Sequence, residues 1–131
     1  MSLENALRQG LEQDRFEVHY QPILQVSNNR PLAFESLLRW HHPDRGLLTA
    51  GVFLSALEDS GMITPVSSWL VDQTIIMDGK LAAMGGGPWA ISINMTRRLL
   101  RDKHFANTLC NHLADQHMSA DRLIIEVNEN A

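Results

Sequence analysis

Three oxygen-bearing side chains, Glu35, Asn94 and Glu126, each stand in a short segment of strand-like composition, Asn94 and Glu126 near its carboxyl end. Two carboxylates and an amide drawn from three strands make a donor set for a hard cation such as Mg²⁺, Mn²⁺ or Ca²⁺, rather than for zinc. Glu35 lies in AFESLLRWHHPDRG, residues 33–46, which places Arg39 four positions further on. Strand alternation puts Phe34, Ser36, Leu38 and Trp40 on one side and Glu35, Leu37 and Arg39 on the other. At about 3.3 Å per residue, Glu35 and Arg39 are roughly 13 Å apart, too far for a simple ion pair. They serve a common ligand, or each has its own partner. An unpaired carboxylate is expensive to bury, so Glu35 requires a cation, a set of donors or water.

Taken singly, these residues have plainer readings. A strand glutamate is most often paired with an arginine or lysine, Asn94 reads as the cap of the helix that follows it, and Arg39 as a surface or ion-paired residue. His112 and His117 are five apart, the wrong spacing for one helix face, and read as solvated. His41 and His42 read as turn residues beside Pro43. The basic run RRLLRDK, 97–103, reads as a solvated helix entrance, and the tryptophans as core, with Trp40 able to border the site.

The elements that must position these groups are legible in the periodicity. Leu3, Leu7 and Leu11 predict an opening amphipathic helix over 3–14. FEVHYQPILQV predicts a strand, and the segment around Glu35 a second one, stopped by His-Pro because proline offers no N–H and disfavours helix before it. Helices are expected over about 49–60, ended by Gly61, and over about 65–83, ended by the glycines at 85–87. The strand WAISINM, a helix over about 102–116 and the strand RLIIEVN follow. Ile91 and Ile93 oppose Ala90, Ser92 and Asn94, and Leu123, Ile125 and Val127 oppose Ile124 and Glu126. Each strand therefore has one apolar side and one smaller or polar side. Alternating strands and helices predict an α/β fold with a mainly parallel sheet, in which chemistry sits at the carboxyl ends of the strands.

With 131 residues, 44% of them hydrophobic and 20% charged, the chain can form one ordinary globular core. A net charge of −4 offers no basic footprint for a nucleic acid polymer, and no run approaches the roughly 18 apolar residues of a membrane span. The lone Cys110 excludes an internal disulfide, and MSLENALRQG lacks the regions of a signal peptide, so a cytoplasmic setting is expected.

The motifs in order resemble the N-terminal half of EAL domains, bacterial phosphodiesterases that open cyclic di-GMP to its linear dinucleotide pGpG. YQPIL at 20–24 is similar to the family's YQPI strand, and FESLLRWHHPDRGLL at 34–48 to its EALLRW-x-HP-x-x-G segment. INMT at 93–96 is similar to its VNLS, and IIEVNEN at 124–130 to its LELTES. The resemblance covers nearly the whole chain. It implies an incomplete (β/α)8 barrel, about the first four strands with their helices, with residues 1–14 as a leading helix and 15–131 as the partial barrel. It also implies that Glu35, Asn94 and Glu126 are ligands to Mg²⁺ or Mn²⁺ in what is a two-metal site in the complete domain. Gln21, Leu37 and Arg39 would contact the substrate, Arg39 through a phosphate, and Glu129 would steady a neighbouring catalytic loop.

Ser36 departs from the family's alanine, and Asn128 from its threonine beside a metal ligand. The paired aspartates, lysine and further glutamates of the family's second half have no counterpart within residues 1–131. A complete barrel takes roughly 200 to 250 residues, so this length is about half of one, and no catalytic residue of its own and no hydrolysis by this chain alone are expected. Exposed end strands would favour a homodimer or a strand-swapped assembly. The alternative function is a non-catalytic module that binds cyclic di-GMP or a protein partner in signalling.

Overall fold

Capping and close packing set the opening of the chain. The computed structural model describes residues 2–127. Helix α1, Leu3–Glu12, begins where the Ser2 hydroxyl accepts the Asn5 N–H at 3.2 Å, and it turns Ala6, Leu7 and Gly10 inward. Gly10 is required for contact: a β-carbon there would lie 2.7 Å from Trp40 Nε1. Strand β1, Phe16–Leu24, and strand β2, Pro31–His42, pair antiparallel. A short strand β3, Gly46–Thr49, folds back on the end of β2. Two helices follow, α2 at Ala50–Ser60 and α3 at Ile63–Met84. Gly61 adopts φ 77° to end α2, a conformation costly for other residues.

Strand β4, Ala90–Met95, the short helix α4, Arg97–Arg101, and helix α5, Lys103–Asp115, lead through a 3-10 turn at Ala120–Arg122 to β5, Leu123–Val127. The sheet runs β1-β2-β4-β5, with β3 also on β2. β2, β4 and β5 are mutually parallel and joined by helices, as the partial barrel requires.

Three expectations change. The sheet is less parallel than predicted, because the turn at 25–30 between β1 and β2 is too short for a crossover and permits only a hairpin. β3 is an additional strand whose four residues are too few to show a period. The basic run at 97–103 contains a separate helix, α4, that buries Leu99.

The helices cover the face opposite Glu35. One apolar cluster gathers Leu70 and Val71 of α3, Ile93 and Met95 of β4, and Phe105, Leu109 and Leu113 of α5. A second surrounds Trp40, which is fully buried, with Leu7, Phe16, Phe53, Leu57 and Val66. The rings of Phe16 and Trp40 stack with centroids 6.0 Å apart, and Phe53 meets Trp40 edge-on at 5.5 Å. Trp40 therefore belongs to the core and does not border the site. Among the described residues, no helix is long and apolar enough to cross a membrane.

Candidate functional site

Period-2 alternation and register together assemble the site. Gln21 on β1 stands opposite Glu35 on β2, Glu35 is level with Ser92 on β4, and Ser92 with Ile124 on β5. One pleat further toward the strand ends, Asn94 is level with Glu126. The side chains of such a row leave the same face. Ser92 is fully buried, Glu35 and Glu126 are partly buried, and Asn94 and Gln21 are exposed. Three strands thus carry two carboxylates and an amide to one patch of the uncovered face.

The same arrangement sets the electrostatics of the site. The Glu35 carboxyl is held above its ordinary pKa, first by burial and then by its hydrogen bond to, and repulsion by, the Glu126 carboxylate. The Asn94 amide works in the other direction by hydrogen bonding to the charged form. Among the described residues, no group of three or more His, Cys, Asp or Glu side chains is arranged to hold a metal ion. The donor set here is two carboxylates and an amide oxygen, short of the six or more oxygens around a hard cation, yet its excess negative charge suits one.

Arg39 lies two pleats beyond Glu35 on the same face, with Leu37 between them. Its Nη1 donates to the Leu38 carbonyl at 3.0 Å. The pairing of β2 with β4 ends at Glu35, and beyond that point a cavity of about 250 Å³ opens between the two strands and helices α2 and α3, lined by Leu37, Arg39 and Asn94 from the strands and by Leu54, Val66 and Leu70 from the helices, among others. Glu129 lies outside the described residues.

Several residues are placed otherwise than their types suggested. The cap of α4 is Thr96, whose hydroxyl accepts the Leu99 N–H at 3.2 Å, and Asn94 is left on the site face. His112 is not simply solvated, since its Nε2 lies 2.6 Å from Asp72 Oδ1 and ties α5 to α3. His42 does serve the turn: its Nδ1 accepts the N–H groups of Asp44 and Arg45. His41 instead extends β2, with Nε2 2.9 Å from Glu17 Oε1, and His19 Nε2 reaches the same oxygen at 3.1 Å. This trio was missed. The alternation Glu17-x-His19 could have suggested two polar groups on one face, but His41 joins them only through the β1–β2 register.

A family model, EAL domain, matches residues 4–131. The chain belongs to the EAL domain family. It is 31% identical over 135 residues to MucR of Pseudomonas aeruginosa, a bifunctional diguanylate cyclase/cyclic di-GMP phosphodiesterase, covering 99% of this chain and 19% of MucR. It is 30% identical over 131 residues to the cyclic di-GMP phosphodiesterase NbdA of the same organism, covering 100% of this chain and 17% of NbdA. Among solved structures, the MucR phosphodiesterase in complex with c-di-GMP superimposes with a TM-score of 0.89 at 32% identity, over 98% of this chain and 52% of that one. The EAL enzyme Bd1971 in its cGMP-bound form gives 0.85 at 26% identity, over 98% of this chain and 37% of the other. This EAL chain therefore spans about half of the solved MucR structure and about a fifth of the full lengths of MucR and NbdA. The mixed sheet with parallel strands joined by helices is that of part of the EAL barrel.

Proposed function

We propose that this EAL chain is part of a metal-dependent phosphodiesterase domain that converts cyclic di-GMP to linear pGpG. The observation that carries the reading is the convergence of Glu35, Asn94 and Glu126 on one face of three adjacent strands, with Arg39 further along that face. In this reading Glu35, Asn94 and Glu126 hold Mg²⁺ or Mn²⁺. The excess negative charge at Glu35 and Glu126 supports the choice of a divalent cation. When bound, such a cation supplies charge stabilisation at a phosphoryl oxygen and lowers the pKa of bound water.

The chain's own residues bind and orient the substrate. Arg39 presents a planar set of donors that suits two phosphate oxygens at once. Gln21, beside Glu35, offers an amide to a polar edge of the nucleotide, and Leu37, between Glu35 and Arg39, an apolar contact. Glu129 would steady a loop next to the metal ligands. The remaining acid and base groups come from the part of an EAL domain that this chain does not span. Retention of all three oxygen donors favours an enzyme over a module that only binds, which has no chemical need of them.

The test is the thermal midpoint with Mn²⁺ or Mg²⁺ and with cyclic di-GMP, because a ligand that binds only the folded state must raise it. We expect a rise with cation that Glu35→Ala and Glu126→Ala abolish, and a further rise with the dinucleotide that Arg39→Ala abolishes. In a protein carrying the complete domain, Glu35→Ala must stop pGpG formation. Undiminished turnover in that variant would sink the reading.

A further inference from the structure

Glu17 stands directly opposite Arg39 in the antiparallel pairing of β1 with β2. Side chains in that relation leave the same face with β-carbons about 5 Å apart, and opposite charges so placed ordinarily pair. These two do not. Among the described residues, no carboxylate lies within ion-pair distance of the Arg39 guanidinium, which turns to the Leu38 carbonyl.

The Glu17 carboxylate is engaged by two imidazoles instead. Its Oε1 takes His19 Nε2 at 3.1 Å, from two residues along the same strand, and His41 Nε2 at 2.9 Å, from the diagonal position on β2. An ionised carboxylate only accepts hydrogen bonds, so both rings must present Nε2–H to it. Glu17 is anchored by two donors, His41 on the flank away from Glu35 and His19 one pleat nearer to it. All three side chains are a little under half exposed, at 42% for Glu17, 47% for His19 and 48% for His41, so the cluster borders solvent on the same face as the candidate site.

We propose that His19 and His41 are positioning residues that occupy the Glu17 carboxylate and so leave the Arg39 guanidinium available to a phosphate of the substrate. The proposal rests on the phosphate role given to Arg39 above. Its physical basis is competition. A carboxylate held across the strand from Arg39 is an internal rival for the same donors, and a phosphate can use them only after that pair is broken. An exposed cross-strand pair of this kind corresponds to about a two- to fivefold loss of affinity. Imidazole N–H donors remove the rival without placing a second fixed cation beside Arg39.

Two measurements on the whole chain separate this inference from the phosphate role itself. Phenylglyoxal modifies a guanidinium more slowly when a carboxylate holds it, and peptide mass spectrometry follows each arginine, with exposed Arg97 and Arg98 as internal references. In the doubly substituted His19→Val/His41→Val protein, modification of Arg39 should slow about two- to fivefold and return to its original rate when Glu17→Gln is added. Valine keeps the strand preference while removing the donor, and a melting curve for each variant checks folding. An unchanged Arg39 rate in the double variant, or a slowing that Glu17→Gln does not reverse, overturns the proposal.

Calorimetric titration of the same proteins with cyclic di-GMP then addresses the consequence. A loss and recovery of affinity that parallels the Arg39 rate supports the whole chain of argument. A modification rate that responds while affinity stays level supports the pairing and overturns the phosphate role of Arg39.

Discussion

Glu35 on β2 and Glu126 on β5 share one face of the sheet across β4, offset by one pleat, with Glu35 level with Ser92 and Glu126 with Asn94. Burial and the neighbouring negative charge both favour a proton on Glu35, so its pKa in the folded chain lies above the ordinary glutamate value. The sign of the pH effect follows. A carboxyl whose pKa is raised by folding contributes stability that is fully present below the ordinary glutamate pKa and is lost as pH rises through the raised value. Without added cation, Glu126→Gln should therefore melt higher than the unsubstituted chain at neutral pH. The gap should close as pH falls through the raised pKa toward the ordinary glutamate range. Melting curves across that window check it, and a gap independent of pH would show that the two carboxyls do not interact.

Ser36 is only 2% exposed, and its Oγ has no hydrogen-bond partner among the described residues. Leaving a hydroxyl buried in that way costs more than removing it, so Ser36→Ala, which restores the residue usual in the family, should raise stability by about 1 kcal/mol. In a chain of this size that is a rise of roughly 3–5 °C in melting temperature. A denaturant titration gives the same quantity independently, and an unchanged or lower midpoint would show that the cavity beside Ser36 satisfies the hydroxyl.

Arg122 donates to both carboxylate oxygens of Asp78, Nε to Oδ1 at 2.8 Å and Nη2 to Oδ2 at 3.0 Å, and so ties the turn before β5 to helix α3. The Asp78 side chain is 11% exposed and that of Arg122 is 31% exposed. Asp78→Ala leaves a partly buried guanidinium without its anion, and the expected loss is about 2 kcal/mol. Asp78→Leu combined with Arg122→Met should recover much of it, since two apolar residues of similar size leave no charge unpaired. Urea unfolding of the single and double variants decides the matter. Because this pair anchors the start of the strand that carries Glu126, Asp78→Ala should also weaken any stabilisation by Mn²⁺.

Much of the fold could be read directly. Leucine spacing marked α1, Gly61 marked the end of α2, and the strand alternation around Ile91 and Leu123 placed Asn94 and Glu126 on the uncovered face. What escaped was short or non-periodic. β3 has four residues and α4 has five, too few to show a period. Asn94 precedes a helix and is a good capping type, but Thr96 is nearer the helix and takes the role.

By itself the sequence determined the residue types, the face each strand residue occupies and, through four motifs in order, the EAL family. Period 2 is a local property of an extended chain, so it needs no knowledge of neighbours. Only the tertiary structure decided which residues on a face meet. The parallel register of β2, β4 and β5 is set by how α2, α3 and α5 pack beneath them, and it is this register that brings Glu35 to Glu126. The hairpin register of β1 on β2 likewise places Glu17 opposite Arg39 but within reach of His19 and His41. A shift of one residue would have turned each of these side chains to the other face.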